Sequence, residues 1–146
     1  MKKKTITLIG GSGFLAKFCI SELLKAGHKV VVICRNPHQA ENLRLMGAID
    51  QLDINEGNIV NNYSIEPFIK DSDIVINLVG ILYESGRSQT FENCHTIGAK
   101  NIAELSKKYD VDRFIHFSSI GANVNSDSKY QRSKGLGEKY ITEIFP

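Results

Sequence analysis

The segment Ile6-Thr-Leu-Ile-Gly-Gly-Ser-Gly-Phe-Leu-Ala16 constrains this chain more than any other part of it. Thr5 to Ile9 is a β-branched run that reads as a strand, and Phe14, Leu15, Phe18, Cys19 and Leu23 then recur at helical spacing. Gly10, Gly11 and Gly13 stand at the junction. Glycine there admits positive φ and lets a bulky group approach bare backbone, while the first amides of the helix point at whatever lies in front of the turn. Two registers fit, Gly11-x-Gly13-x-x-Ala16 and Gly10-x-x-Gly13-x-x-Ala16.

The rest of the chain supplies the context that such a turn needs. Lys29 to Cys34, Ile49 to Leu52, Ile74 to Leu78 and Arg113 to Phe117 read as four further strands. Helices are expected from Pro37 to Met46, from about Asn62 to Lys70, from near Thr90 through Tyr109, and from Ser128 to Ile144. Gly27 ends the first helix. Strict strand–helix alternation predicts a doubly wound α/β domain over residues 1–146, a parallel sheet in the order 3-2-1-4-5 with helices on both faces. After the first strand of such a pattern, the glycine turn predicts dinucleotide binding, with Gly10, Ser12, Gly13, Phe14 and Leu15 around the pyrophosphate. The irregular stretch Gly80 to Gln89 follows the fourth strand at its carboxyl end, where open α/β sheets place their ligand crevice.

Composition narrows the alternatives. With 18 basic and 16 acidic side chains the formal net charge is +2, too small a field to recruit nucleic acid or an anionic surface. Lys2-Lys3-Lys4 reads as a solvated lead-in to the first strand. Cys19, Cys34 and Cys94 lack CxxC spacing and sit in apolar segments, as buried small hydrophobes do. No histidine pair has metal spacing, and His28, His38 and His116 read as ordinary strand or surface residues. No apolar run is long enough to span a membrane.

Two constellations refine the nucleotide. An acid usually ends the second strand when ribose hydroxyls are to be bound, about 20 residues past the glycines. Here that position reads Cys34-Arg35-Asn36, and the guanidinium of Arg35 suits a 2′-phosphate, which predicts NADP(H) over NAD(H). Tyr130-Gln-Arg-Ser-Lys134 puts a phenol and an ammonium one helical turn apart, an arrangement that can lower the phenol pKa. It opens the helix after the fifth strand, whose end carries Ser118-Ser119.

Taken together, GGSGFLAK, Asn77-Leu-Val-Gly-Ile-Leu-Tyr-Glu84, Gly98-Ala-Lys-Asn101 and Tyr130 to Lys134 resemble the extended and atypical short-chain dehydrogenase/reductases. More narrowly they resemble the NAD(P)H-binding accessory subunit of respiratory complex I and its bacterial relatives. The resemblance implies that Asp53 and Ile54, after the third strand, border the adenine. It implies that Asn77, Leu78, Val79 and Gly80 line the adenosine side, that Ser118 belongs to the cofactor site, and that Tyr130 and Lys134 flank the nicotinamide ribose, the two being the catalytic pair of active members. Complex I subunits as partners and a cytoplasmic or inner-membrane-peripheral location follow from it too.

The chain departs from that family in three ways. The catalytic serine of active members falls on Ile120, and the asparagine of their tetrad falls on His95; the complex I-like branch shares such changes. The family also runs to roughly twice this length, so a C-terminal substrate lobe is expected to be lacking. An uncovered sheet edge would then invite a homodimer, unless the chain is a fragment. Three readings follow: a subunit that holds nucleotide without turnover, an NADP-dependent reductase or epimerase using Tyr130 and Lys134, and a truncated remnant.

Overall fold

A computed structural model describes residues 2–146. Five parallel strands, β1 (Thr5–Ile9), β2 (Lys29–Cys34), β3 (Leu52–Glu56), β4 (Ile74–Asn77) and β5 (Arg113–His116), form one sheet in the order β3-β2-β1-β4-β5. This is the expected doubly wound order. Helices α1 (Phe14–Lys25), α2 (Asn62–Ile69), α3 (Gly98–Lys108) and α4 (Lys129–Ile144) connect the strands or follow them.

Alternation along each strand divides the core between the two faces of the sheet. Ile6, Leu8, Val30 and Val32 pack with Ala16, Ile20 and Leu24 of α1. Ile9, Ile33 and Val75 pack instead with Ile65 and Ile69 of α2 and Ile102 and Leu105 of α3. Thr7 is the polar exception on β1. Its buried hydroxyl donates to the Phe68 carbonyl at 2.8 Å and meets Ser72 Oγ at 2.5 Å, so it costs no unsatisfied group.

Three expectations are corrected in detail. The third strand lies at Leu52–Glu56 rather than Ile49–Leu52: Asp50 takes φ of 61° in a turn that leaves Ile49 94% exposed. Pairing with β2 starts only at Val30↔Leu52. Pro37–Met46 is helical over the expected residues but winds as a 3₁₀ helix. Its buried residues, Ala40 and Leu43, are three apart, and a three-residue turn stacks them on one line. The helix beginning near Thr90 is compound. Glu92–Ile97 forms a π-helical turn before α3, with Thr90 accepting from the Asn93 amide at 3.1 Å.

Candidate nucleotide site

The site grows from the end of β1. The amides of Gly10 and Gly11 both donate to the Ile33 carbonyl on β2, at 3.0 and 3.2 Å, which folds the chain sharply over the sheet end. Gly10 does so at φ of +91°, and a side chain there would lie 3.0 Å from the Val79 amide nitrogen. At Gly11 a Cβ would collide with Val32. Helix α1 then starts without a side-chain cap and with no acid in its first turn. Its first amides are left to an external acceptor, as a pyrophosphate site requires.

Gly10, Ser12 and Gly13 line a cleft at the carboxyl end of the sheet with Ile33, Cys34 and Arg35 of the β2 end, Gly57 and Ile59 after β3, and Leu78 to Ile81 after β4. Cys94, from the π-helical turn, closes one side. The cleft lies between the ends of β1 and β4, where the strand order reverses. Bare backbone at Gly10, uncapped amides at α1 and a guanidinium at the rim fit an anionic dinucleotide.

Seven of the fifteen residues expected at the site line the cleft: Gly10, Ser12, Gly13, Arg35, Leu78, Val79 and Gly80. Leu78, Val79 and Gly80 form its wall, held from behind by Asn77, whose carboxamide oxygen accepts from the Val79 amide at 3.0 Å. Asn77 is itself fully buried and supports the wall rather than lining it. Phe14 and Leu15, in the first turn of α1, do not line the cleft, and their side chains are exposed. Asp53 and Ile54 do not follow the third strand. They lie inside β3, paired with Val31 and Val32; the Asp53 carboxylate is 3.3 Å from Lys29 Nζ, and Ile54 belongs to the core. Gly57 and Ile59, just beyond β3, line the cleft.

At the β5 end, Lys134 is 4% exposed and donates to the Phe117 carbonyl at 3.3 Å. Gly80 faces its ammonium so closely that a side chain would meet Nζ at 3.4 Å. Burial holds the Lys134 pKa below its ordinary value, with Glu138 opposing. The Tyr130 ring stands edge-on to Phe91 and His95, at centroid distances of 5.7 and 5.3 Å. Ile120 is fully exposed, and the hydroxyls of Ser118 and Ser119 are buried without partners, as is His116 Nε2.

His95 is bound on both ring nitrogens. Nε2 accepts from the Ile81 amide at 3.0 Å, so Nδ1 carries the proton and donates to Ser133 Oγ at 2.9 Å. Burial pushes its pKa down to about 4, assisted by the Lys134 and His116 charges, so the ring is neutral at pH 7. His116 is likewise held at about 4 by burial, and its Nδ1 accepts from the Asn77 amide at 3.1 Å.

Sequence reasoning missed Ile9, Ile33, Cys34, Gly57, Ile59, Ile81 and Cys94 as lining residues, and it missed Gln89, which touches the cleft's Arg35 without lining the cleft itself. The Gln89 carboxamide oxygen accepts from Arg35 Nη2 at 3.0 Å. The only sequence signal for Gln89 was its place in the loop after β4.

Residues 10–143 match the family model described as NAD(P)H-binding. The chain is 37% identical over 142 residues to the mitochondrial NADH-ubiquinone oxidoreductase 40 kDa subunit of Neurospora crassa, covering 97% of this chain and 38% of that protein. It is 36% identical over 141 residues to the mouse mitochondrial NADH dehydrogenase [ubiquinone] 1 alpha subcomplex subunit 9, covering 96% of this chain and 37% of that one. The chain therefore spans less than two fifths of the length of these relatives. Among solved structures, Bordetella bronchiseptica WbmH in complex with NAD+ superposes with a TM-score of 0.77 at 21% identity, over 99% of this chain and 54% of that one. Pen from Bacillus thuringiensis gives 0.85 at 21% identity, over 98% and 47%. These two show the fold. With the family model covering most of its length, the glycine turn at the β1 end and the reversed strand order, the chain belongs to the NAD(P)H-binding family of Rossmann domains.

Proposed function

We propose that this chain holds a nicotinamide dinucleotide, NADP(H) in preference to NAD(H), as the nucleotide-binding part of a respiratory-complex subunit peripheral to the inner membrane, and that the nucleotide serves stability or assembly rather than turnover. One observation carries the non-catalytic part: His95, at the position of the tetrad asparagine, has both ring nitrogens engaged within the protein and is neutral. With Ile120 at the serine position, that position offers no hydroxyl to orient a carbonyl substrate. The nucleotide would supply hydride chemistry to an active relative; here its binding energy adds to folding stability by mass action.

Gly10, Ser12 and Gly13 would take the pyrophosphate, Leu78 to Gly80 the adenosine side, and Lys134 the nicotinamide ribose. The Arg35 guanidinium at the cleft rim supports the NADP(H) preference. Partnership with a respiratory complex rests on the two mitochondrial relatives. No described helix is long and apolar enough to cross a membrane.

The retained Tyr130 and Lys134 favour a second reading, an NADP-dependent reductase or epimerase. Titration with NADPH and NADH, followed by nucleotide fluorescence and thermal midpoint, tests the first. Tight NADPH binding with no carbonyl turnover sustains it, and failure to bind either nucleotide overturns it. Turnover that collapses in Tyr130→Phe with binding intact would establish the second.

A further inference from the structure

The loop between β4 and the π-helical turn is built, and it brings one side chain, Gln89, onto Arg35, a residue of the nucleotide cleft. Its backbone closes on itself through the Ser85 amide and the Gln89 carbonyl, at 2.9 Å, around Gly86 at φ of +62°. The Glu84 carboxylate accepts from the Phe91 amide at 3.0 Å, and the Asn93 carboxamide donates to the Ser88 carbonyl at 3.0 Å. Both sides of Gln89 are thereby fixed. From this position its carboxamide oxygen takes an Arg35 Nη2 hydrogen at 3.0 Å, 54 residues away in sequence.

Arg35 lines the cleft and is otherwise exposed, a long side chain with several rotamers open to it. Its charge is felt at Cys94, which also lines the cleft, where it opposes the upward push of burial on the thiol. A guanidinium has five donors in a planar fork, and Gln89 occupies one Nη2 hydrogen, which leaves the other donors for a ligand. A neutral acceptor orients the fork without cancelling its charge.

We propose that Gln89 is a specificity-determining residue for the nucleotide, which acts by holding the Arg35 guanidinium in place for a 2′-phosphate. The proposal rests on the dinucleotide reading given above and deepens it. Gln89 itself is a positioning residue, since the phosphate would be bound by Arg35. Its replacement by a carboxylate is the sharpest perturbation. Glutamate keeps the geometry but pairs with the guanidinium and repels the phosphate dianion, whereas a 2′-hydroxyl is indifferent to both effects.

The test is equilibrium titration of the full chain, and of Gln89→Glu, Gln89→Met and Arg35→Gln, with NADPH and NADH at fixed ionic strength. For Gln89→Glu the NADPH-to-NADH affinity ratio should fall by about tenfold or more, with NADH affinity held within about threefold. Gln89→Met, near in shape but with no strong acceptor, should lower the ratio by about threefold, and should leave it unmoved in the Arg35→Gln background, where there is no guanidinium to place. An unchanged ratio in Gln89→Glu, or equal losses for both nucleotides, overturns the role of Gln89 and leaves the dinucleotide reading standing. Equal binding of the two nucleotides by the parent chain overturns the Arg35 preference and Gln89 with it. Binding of neither removes the dinucleotide reading as well.

Discussion

His95 Nε2 accepts the backbone hydrogen of Ile81 at 3.0 Å and so ties the loop after β4 to the π-helical turn. That bond exists only while the ring is neutral. The folded pKa of about 4 lies below the ordinary histidine value of 6.5, and His116 behaves alike. A histidine with a depressed pKa binds its proton more readily unfolded than folded. Its contribution to stability is therefore full above about 6.5 and is lost as pH falls towards about 4. The thermal midpoint should drop by roughly 5–10 °C between pH 7 and pH 4.5, more steeply than carboxylate titration alone would give. In His95→Gln, which keeps an amide oxygen for Ile81 and an amide donor for Ser133, that slope should flatten. A slope identical to the parent's would place the titration elsewhere.

The glycine turn makes a prediction in which stability and binding separate. Gly11→Ala drives a methyl into Val32 and should destabilise by about 1–3 kcal/mol through overpacking of a well-filled core. Gly10→Ala adds a strained left-handed residue at φ of +91°, costing about 1–2 kcal/mol, and places a methyl against the backbone of Leu78 and Val79 at the cleft wall. Denaturant unfolding measures the first term for each. Nucleotide titration at a temperature where both variants are folded should show Gly10→Ala the weaker binder, because only its new methyl lies against the wall of the cleft.

What the sequence made legible was whatever depends on period and on turn chemistry. β1 and β2 lie where the β-branched runs put them, and Ser128 caps α4 by accepting from the Gln131 amide, as a serine before a helical run should. The third strand escaped because Ile49 looks like strand material while Asp50 turns the chain out; a local apolar run cannot reveal where pairing with β2 begins. The glycine half of the cleft was readable because it is contiguous. Its other half comes from single residues at strand ends and on the π-helical turn, and Cys34, Ile59 and Cys94 carry no local pattern that marks them. The engagement of His95 by Ile81 and Ser133 depends on an extra residue in one helical turn, which periodicity does not report.

Lys134 tests how much of its burial serves a ligand. It is almost wholly inside the protein, and its one hydrogen bond within the described residues goes to the Phe117 carbonyl. A buried ammonium so lightly compensated contributes little to stability, because its desolvation offsets what a single carbonyl returns. Lys134→Met should therefore leave unfolding free energy within about 1 kcal/mol of the parent, or raise it. Nucleotide affinity should fall by about tenfold, the loss of one charge-assisted hydrogen bond to a ribose hydroxyl. A large loss of stability with binding unaltered would make Lys134 a structural residue of the β5–α4 junction.

The three cysteines provide a footprint of the cleft that needs no substitution. Cys34 and Cys94 are buried free thiols on the cleft wall, and burial pushes both pKa values up, so few thiolates form at neutral pH. Cys19 lies on α1, is only half-buried, and does not line the cleft. A thiol reagent such as dithionitrobenzoate should accordingly react in two phases at pH 8, one fast thiol and two slow ones. Saturating NADPH should slow the slow phase by about tenfold or more, since a bound nucleotide both covers the wall and suppresses local opening, and should leave the fast phase unchanged. Protection of Cys19 instead would put the nucleotide over α1. Equal protection of all three would report general stabilisation of the fold rather than occupancy of this cleft, and mass spectrometry of the modified peptides separates these cases.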